Sequence, residues 1–182
     1  MNSITETQPM NECAAITRLK QGDVAGLEYL VQTHQLNALR RAYLIVHDHH
    51  LAQDIVQNAF LRVYERIHTF DQTRPFAPWL STIVANLALN TLRTKETAEL
   101  DDELPSLDWS VEATMMQAKT NTEILHALRQ LSPEQRVAIV QRYFLDMSER
   151  DMAEQANCAP GTIKWRLHHA KKRLRELLSA QQ

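Results

Sequence analysis

The protein has 182 residues, a formal net charge of −2 and an apolar fraction of 44%. This length suffices for one ordinary domain or two small ones, and no apolar run approaches the ~18 residues of a membrane-spanning helix. With three glycines, six prolines and no alternating strand pattern, the chain is predicted to be all-α. Two distant cysteines indicate no disulfide framework, and no secretory signal is recognisable at the N-terminus, so we expect a cytoplasmic protein.

The first half of the chain predicts a helical bundle over residues 10–95. After an N-terminus that we expect to be disordered, apolar periodicity predicts the helices Met10–Lys20, Val24–Val46, Leu51–His68 and Phe76–Thr94. In the third of these, apolar residues at i, i+4, i+7 and i+11 predict one buried face, formed by Val56, Phe60, Val63 and Ile67.

Another face of the third helix is polar except for one leucine. It carries Asp54, Gln57, Asn58 and Leu61. A lone exposed leucine is ordinary, but a leucine within a polar stripe is consistent with a protein interface.

The fourth helix leaves a different set of side chains on its outer surface: Trp79, Asn86, Asn90 and Arg93. Aromatic rings stack on unpaired bases, amides read base edges and guanidinium groups hold phosphate, so this set suits single-stranded DNA. The alternative is that Trp79 only caps the bundle core, and residue type alone favours that alternative.

Residues 96–120 have no sustained periodicity and are predicted to form a flexible acidic linker. Eight of the 22 acidic residues lie between Glu96 and Glu123, with Lys119 as the single base among them. The rest of the chain is therefore net positive, and this local charge matters for nucleic-acid binding more than the sum does.

Residues 121–180 predict a helix-turn-helix module. Ser132-Pro133 and Ser148 are helix starts, and Pro160-Gly161 marks a turn before a last helix. That helix has one apolar face, formed by Ile163, Leu167, Ala170, Leu174 and Leu177. Its other faces carry six fixed positive charges against Glu176. A basic second helix can enter the DNA major groove, although a basic face can also be merely solvated or bind a protein partner.

The histidines at positions 47, 49 and 50 suggest a transition-metal site together with Asp48. Polar residues are, however, expected at this helix junction, and no further ligands are evident nearby. The chain also contains no hydrolytic triad and no phosphate-cradling glycine loop. We therefore predict no catalytic residue, no metal and no cofactor.

Three segments together resemble the extracytoplasmic-function (ECF) class of bacterial RNA polymerase sigma factors: DIVQNAFLRVY, TFDQTRPFAPWLSTIVANLALNTLR and LSPEQRVAIVQRYFLDMSERDMAEQANCAPGTIKWRLHHAKKRL. The resemblance spans about Leu27 to Leu178 apart from the linker. It implies that residues 10–95 form sigma region 2, that residues 121–180 form region 4, and that no folded region 3 lies between them.

The resemblance also implies roles for individual residues. Asp54, Gln57, Asn58 and Leu61 correspond to the surface that docks on the clamp coiled coil of the polymerase. Two groups of residues correspond to those that recognise and melt the minus-ten element. They are the loop residues Phe70, Asp71, Gln72, Thr73 and Arg74 and the helix residues Trp79, Asn86, Asn90 and Arg93. The duplex minus-thirty-five element is read by Thr162, Lys164, Trp165, Arg166, His168, His169 and Arg173, where Trp165 stands in place of a commonly small residue.

The implied partners are core RNA polymerase, promoter DNA and an anti-sigma factor. Such a protein catalyses nothing itself and does not insert into a membrane, although a membrane-bound anti-sigma factor would hold it at the inner membrane. Two alternatives stay open: a helix-turn-helix regulator that binds an operator without polymerase, and a metal-binding helical enzyme that uses the cluster from His47 to His50.

Overall fold

The structure of the protein, a computed structural model, describes residues 10–95, 115–145 and 147–179. These ranges contain α-helices joined by turns, one short 3-10 turn at Ile67–Thr69 and no strand, which confirms the predicted all-α fold. The α-helices are α1 (Glu12–Lys20), α2 (Val24–Val46), α3 (His49–Arg66), α4 (Phe76–Lys95), α5 (Met115–Arg129), α6 (Pro133–Phe144), α7 (Glu149–Gln155) and α8 (Pro160–Ser179). The N-terminus that we expect to be disordered and most of the predicted acidic linker lie outside the described residues.

Side-chain caps fix the starts of several helices. The Asp23 carboxylate accepts the Ala25 N–H at 2.9 Å, and the Ser148 hydroxyl accepts the Asp151 N–H at 3.1 Å. Ser132 and Gln135 form a reciprocal capping box before α6. Each cap satisfies backbone donors that have no partner inside the helix. The predicted starts at Val24 and Pro133 are thereby confirmed.

Three helices begin earlier than the sequence pattern predicts. The Asp48 carboxylate accepts the Leu51 N–H at 2.9 Å, so α3 already starts at His49. Pro160 opens α8, since the fixed φ of proline suits a first helical position. Helix α5 starts at Met115, within the segment predicted as linker.

The N-terminal module consists of α1 to α4 around a common core. The predicted face of α3 is buried, and Gly26 lets α2 lie directly on α1. A Cβ atom at Gly26 would stand 2.2 Å from the carbonyl oxygen of Ala15. The two helices can approach this closely only because glycine has no Cβ atom.

The C-terminal module consists of α5 to α8. Ile163, Leu167 and Ala170 of α8 are buried, as predicted, while Leu174 and Leu177 are half-buried toward the end of the helix. The basic residues of α8 lie on its remaining faces. One face of the helix therefore packs in the core, and the basic faces lie toward solvent.

The two modules pack against each other. Helix α6 contacts α2 and α4 as well as α8, and residues from both modules form one continuous hydrophobic cluster. The sequence predicts two modules on a tether but contains no local pattern from which this shared core could be predicted. None of the helices in the described ranges is both long and apolar enough to cross a membrane.

Candidate nucleic-acid interface

The outer face of α3 presents the predicted polymerase-docking residues together. Asp54, Gln57, Asn58 and Leu61 are all exposed, and 59% of the Leu61 surface is open to solvent. Tyr64, one turn after Leu61, is also exposed and extends the apolar part of this stripe. Because Tyr64 lies i+3 from Leu61, helical spacing alone could have added it to the prediction.

Phe70, at the start of the loop between α3 and α4, lies in the core with 4% of its surface exposed. Its ring packs edge-on against Phe76 at a centroid distance of 5.7 Å, and it packs against Trp79 at 4.8 Å with the two rings tilted by 38°. Phe70 therefore supports the loop from within the core, whereas the resemblance implies that it contacts the minus-ten element. The four residues that follow, from Asp71 to Arg74, are exposed.

The loop is held in a defined shape. The Asp71 carboxylate accepts the Thr73 hydroxyl at 2.7 Å and the Thr73 N–H at 3.0 Å, and these hydrogen bonds lower the pKa of Asp71. Lys20 of α1 donates to the Phe70 carbonyl oxygen at 2.7 Å. The exposed loop is thus an Asx-type turn anchored to the bundle, and its side chains point outward from a fixed base.

The outer face of α4 carries Asn86, Asn90 and Arg93, all exposed, and the half-buried Trp79. At 100° per residue these four positions fall in one stripe along the helix. The contacts of Trp79 with Phe70 and Phe76 agree with the alternative that this ring caps the core. Arg93 is ion-paired with Glu134 of α6 at 3.1 Å, which joins this stripe to the C-terminal module.

Helix α8 presents the predicted duplex-reading residues along its length. Lys164, Trp165, His168 and Arg173 are exposed, while Thr162, Arg166 and His169 are half-buried. The Trp165 ring, 56% exposed, stacks on the His169 ring at a centroid distance of 4.1 Å. The His169 Nδ1 atom also lies 3.0 Å from the Trp165 carbonyl oxygen. The two rings, inclined to each other by 32°, therefore form one aromatic platform on the outside of the helix.

The contacts that join the modules were not predicted from the sequence. Arg136 of α6 is 8% exposed, and its guanidinium donates to the carbonyl oxygen of Ile45 in α2. Gln155 of α7 donates to the Thr82 hydroxyl of α4 at 2.6 Å. Arg136 lies one turn before the buried Val140, and this position of an arginine on an apolar stripe is the signal that could have indicated a buried role.

The histidines after α2 show no metal-binding arrangement. Among the described residues, no group of three or more histidine, cysteine or acidic side chains is placed to hold an ion. The atoms His47 Nε2 and His49 Nδ1 are buried without a hydrogen-bond partner. Burial, and then the positive charges of Arg136 and Arg129, lower the pKa of His47 from 6.5 to about 3. His47 is thus a neutral residue at the junction of the two modules.

These features define a class of protein: an all-α chain of two modules, in which a helical bundle and a helix-turn-helix each expose residues suited to DNA. Two family models match the chain, sigma-70 region 2 over residues 30–97 and sigma-70 region 4 over residues 121–174. The chain belongs to the ECF RNA polymerase sigma factors. The family consists of transcription initiation factors that are not catalytic themselves.

Relatives of similar length match over nearly the whole chain. The RNA polymerase sigma-E factor of Streptomyces coelicolor is 33% identical, and the alignment covers 87% of this chain and 89% of the relative. The ECF RNA polymerase sigma factor SigW of Bacillus subtilis is 27% identical over 90% of this chain and 94% of its own length.

Solved structures share the fold. The sigma factor RpoE from Bartonella quintana, crystallised with the anti-sigma factor NepR, has a TM-score of 0.68 at 24% identity and covers 85% of this chain and 98% of its own. CnrH, in complex with the cytosolic domain of CnrY, has a TM-score of 0.66 at 19% identity and covers 94% of this chain and 99% of its own.

Proposed function

We propose that this protein binds core RNA polymerase and directs it to a promoter with two separate DNA surfaces, one in each module. The observation that carries the proposal is the exposure of two unlike sets of side chains. Amides line α4 in the N-terminal module, and a basic, ring-bearing face lies on α8 in the C-terminal module. In this proposal, residues 10–95 act as region 2, residues 96–120 as an acidic tether and residues 121–180 as region 4.

The polymerase contact is the outer stripe of α3, formed by Asp54, Gln57, Asn58 and Leu61. Polar side chains around an exposed leucine give a small apolar centre with a polar rim, which is the usual layout of a protein interface. Tyr64 widens that apolar centre.

The minus-ten contact is the exposed loop Asp71–Arg74 together with Asn86, Asn90 and Arg93 of α4. An enzyme or factor that holds an extruded base must offset a few kcal/mol of unstacking. A loop that is already fixed by Thr73 and Lys20 binds such a base without ordering itself first, so less binding energy is lost. Phe70 and Trp79 supply the rigid base beneath the loop.

The minus-thirty-five contact is α8, which enters the major groove with its exposed face. Lys164, Arg166 and Arg173 supply phosphate or base contacts, and Trp165, His168 and His169 add flat surfaces. Each module binds DNA weakly alone, but polymerase makes the second contact intramolecular and the two contacts act as one strong contact.

Control by an anti-sigma factor is part of the proposal. The structural neighbour RpoE was solved with the anti-sigma factor NepR, and CnrH was solved with the cytosolic domain of CnrY. We propose a cytoplasmic site of action, with a membrane-bound anti-sigma factor as the means of retaining the protein at the inner membrane.

The direct test is run-off transcription with purified core polymerase on a library of promoter fragments. We expect a subset of fragments to give discrete transcripts only when this protein is added. Absence of any protein-dependent start on the library contradicts the proposal. The alternative, a regulator that acts on an operator without polymerase, predicts tight footprints on duplex DNA by the protein alone, whereas the sigma function predicts weak binding to duplex DNA until core polymerase is present.

A further inference from the structure

The imidazole ring of His169 on α8 is held at two points. Its Nδ1 atom lies 3.0 Å from the carbonyl oxygen of Trp165, one helical turn earlier. Its face also stacks on the Trp165 indole, with the ring centroids 4.1 Å apart and the rings inclined by 32°. Together the hydrogen bond and the ring contact restrict rotation of the imidazole. His169 therefore has a defined orientation on the helix that is proposed to read duplex DNA.

The bond to Trp165 decides which ring nitrogen of His169 carries the proton. A carbonyl oxygen only accepts, so Nδ1 is the donor, and in the neutral ring the other nitrogen, Nε2, is then an acceptor. The two nitrogens point in divergent directions, so a ring whose Nδ1 faces the backbone directs Nε2 away from it. Among the described residues, the buried ring nitrogens without a partner belong to His47 and His49. The Nε2 atom of His169 is not one of them and has no partner within these residues, so this acceptor faces solvent.

An acceptor of this kind is exceptional on α8. Six side chains of the helix are cationic and can only donate: Lys164, Arg166, Lys171, Lys172, Arg173 and Arg175. The one carboxylate of the helix, that of Glu176, lies about 10 Å further along the axis and is ion-paired with Arg173 at 3.5 Å. The hydroxyl of Thr162 donates or accepts and so does not discriminate between bases. His169 is thus the residue that gives the middle of α8 a defined acceptor.

The major groove of DNA contains donors that match such an acceptor. Adenine presents its N6 amino group there and cytosine its N4 amino group, whereas guanine and thymine present no amino group on this edge. An acceptor on the helix can therefore form a hydrogen bond with adenine or cytosine. Opposite guanine or thymine it meets another acceptor or a methyl group, and a polar atom left without its partner costs more than the bond itself contributes.

We propose that His169 is a specificity-determining residue of α8, whose Nε2 atom accepts a hydrogen bond from the amino group of an adenine or a cytosine in the minus-thirty-five element. Trp165 is a positioning residue for it, because its indole covers one face of the imidazole and its carbonyl oxygen holds Nδ1. The ring is oriented before DNA binds, so little side-chain freedom is lost in the complex. This inference rests on the proposed function, because that function places α8 in the major groove.

The first test is run-off transcription with core polymerase on a library randomised over the minus-thirty-five element, at about pH 8, where free imidazole is neutral. We expect the full-length wild type to prefer adenine or cytosine at one position by about three- to tenfold, the effect of one hydrogen bond. His169→Phe keeps a ring against Trp165 but has no acceptor, so this preference should disappear. His169→Arg replaces the acceptor with donors, so the preference at the same position should change to guanine.

The control is His126→Phe, which changes an exposed histidine of α5 in the same module and should keep the wild-type preference at every position. A preference for adenine or cytosine that survives in both His169 variants overturns the inference. A loss of preference spread over all positions also overturns it, because that result indicates a structural role. If the wild type gives no transcript from any fragment, the proposed function fails, and the inference fails with it.

The second test removes the amino group from the DNA instead of the acceptor from the protein. At the preferred position, adenine is replaced by purine deoxyriboside, or cytosine by 2-pyrimidinone deoxyriboside, and each analogue lacks only the amino group. We expect about three- to tenfold less transcript with the wild type and less than about twofold change with His169→Phe, because the two deletions remove the same bond. An equal loss with both proteins shows that another residue reads this amino group, and it refutes the inference while the proposed function stands.

Discussion

Arg136 and Ile45 are 91 positions apart, yet the guanidinium of one donates a hydrogen bond to the backbone carbonyl oxygen of the other. This bond crosses from the C-terminal to the N-terminal module, and it is buried. The partner is a main-chain atom, so the identity of residue 45 contributes nothing to the hydrogen bond. The joint between the modules depends instead on the arginine.

We expect Arg136→Met to destabilise the protein by about 2–4 kcal/mol, because several buried carbonyl groups lose their donor. Arg136→Lys should recover only part of this loss, since an ammonium group cannot reach the same set of acceptors in one plane. Urea denaturation followed by circular dichroism measures both. Arg150→Met, at an exposed position of α7, is the control and should change stability little. Equal midpoints for the Arg136 variants and the control would show that the buried guanidinium is dispensable.

Gly26→Ala tests the close approach of α1 and α2. The added Cβ would meet the Ala15 carbonyl oxygen at 2.2 Å and the Leu19 nitrogen at 2.8 Å, and both are backbone atoms that can move only with their helix. We expect a loss of about 2–3 kcal/mol in the free energy of unfolding. Gly161→Ala is the matched control: it meets nothing within 4 Å and should stabilise α8 by up to about 1 kcal/mol. A stable Gly26→Ala protein would contradict the packing of α1.

His47 predicts acid sensitivity with a defined sign. Its pKa is lowered in the folded state, first by burial and then by Arg136 and Arg129, to about 3 from 6.5. The unfolded chain therefore binds a proton between these pH values and the folded chain does not. The stability contributed by the neutral ring is complete above pH 6.5 and is lost as pH falls toward 3, by about 1.4 kcal/mol per pH unit.

The measurement is chemical denaturation at several pH values between 7 and 4.5. His47→Asn should flatten the pH dependence in this range, and asparagine tolerates the left-handed backbone of this position, where φ is 55°. His68→Asn, at an exposed site, should leave the slope unchanged. If the slope persists in His47→Asn, another group causes the acid sensitivity.

Leu61→Glu tests the proposed polymerase interface on α3. Leu61 is 59% exposed, so we expect the variant to fold normally but to bind core polymerase at least about tenfold more weakly, since it places a charge at the apolar centre of the contact. Leu36→Glu changes a similarly exposed leucine, 56% open, on α2 and should bind as the wild type does. Co-elution with core polymerase or surface plasmon resonance reports the difference. Equal binding by the two variants would show that the polymerase interface lies elsewhere on the protein.

Trp165→Ala tests the ring platform on α8. We expect about tenfold less transcript from the preferred promoter and a relaxed base preference at one or two positions of the minus-thirty-five element, a loss comparable to one good base contact. Run-off transcription on a library randomised over that element measures both effects. Phe144→Ala removes another exposed aromatic ring of the same module and should keep the preference. A uniform loss over all promoters would instead indicate contact with the DNA backbone.

Much of the fold follows from local sequence. The caps at Asp23, Ser132 and Ser148 and the apolar period of α3 predict helices that the structure contains, because both signals act within a few residues. The contacts of Arg136 and of Glu134 with Arg93 were not predicted, since they join residues far apart in the chain. The position of Phe70 also escaped prediction: one aromatic residue at the start of a loop has no periodicity from which burial could be inferred.

The burial of α6 constrains how promoter preference can change during evolution. A substitution in the middle of α6 disturbs the joint with the first module, whereas the outward side of α8 borders neither core. New promoter preferences are therefore expected to arise by exchange of residues on that outward side alone. A chimaera that receives only those residues from a relative should acquire the donor's target sequence while melting at the temperature of its parent.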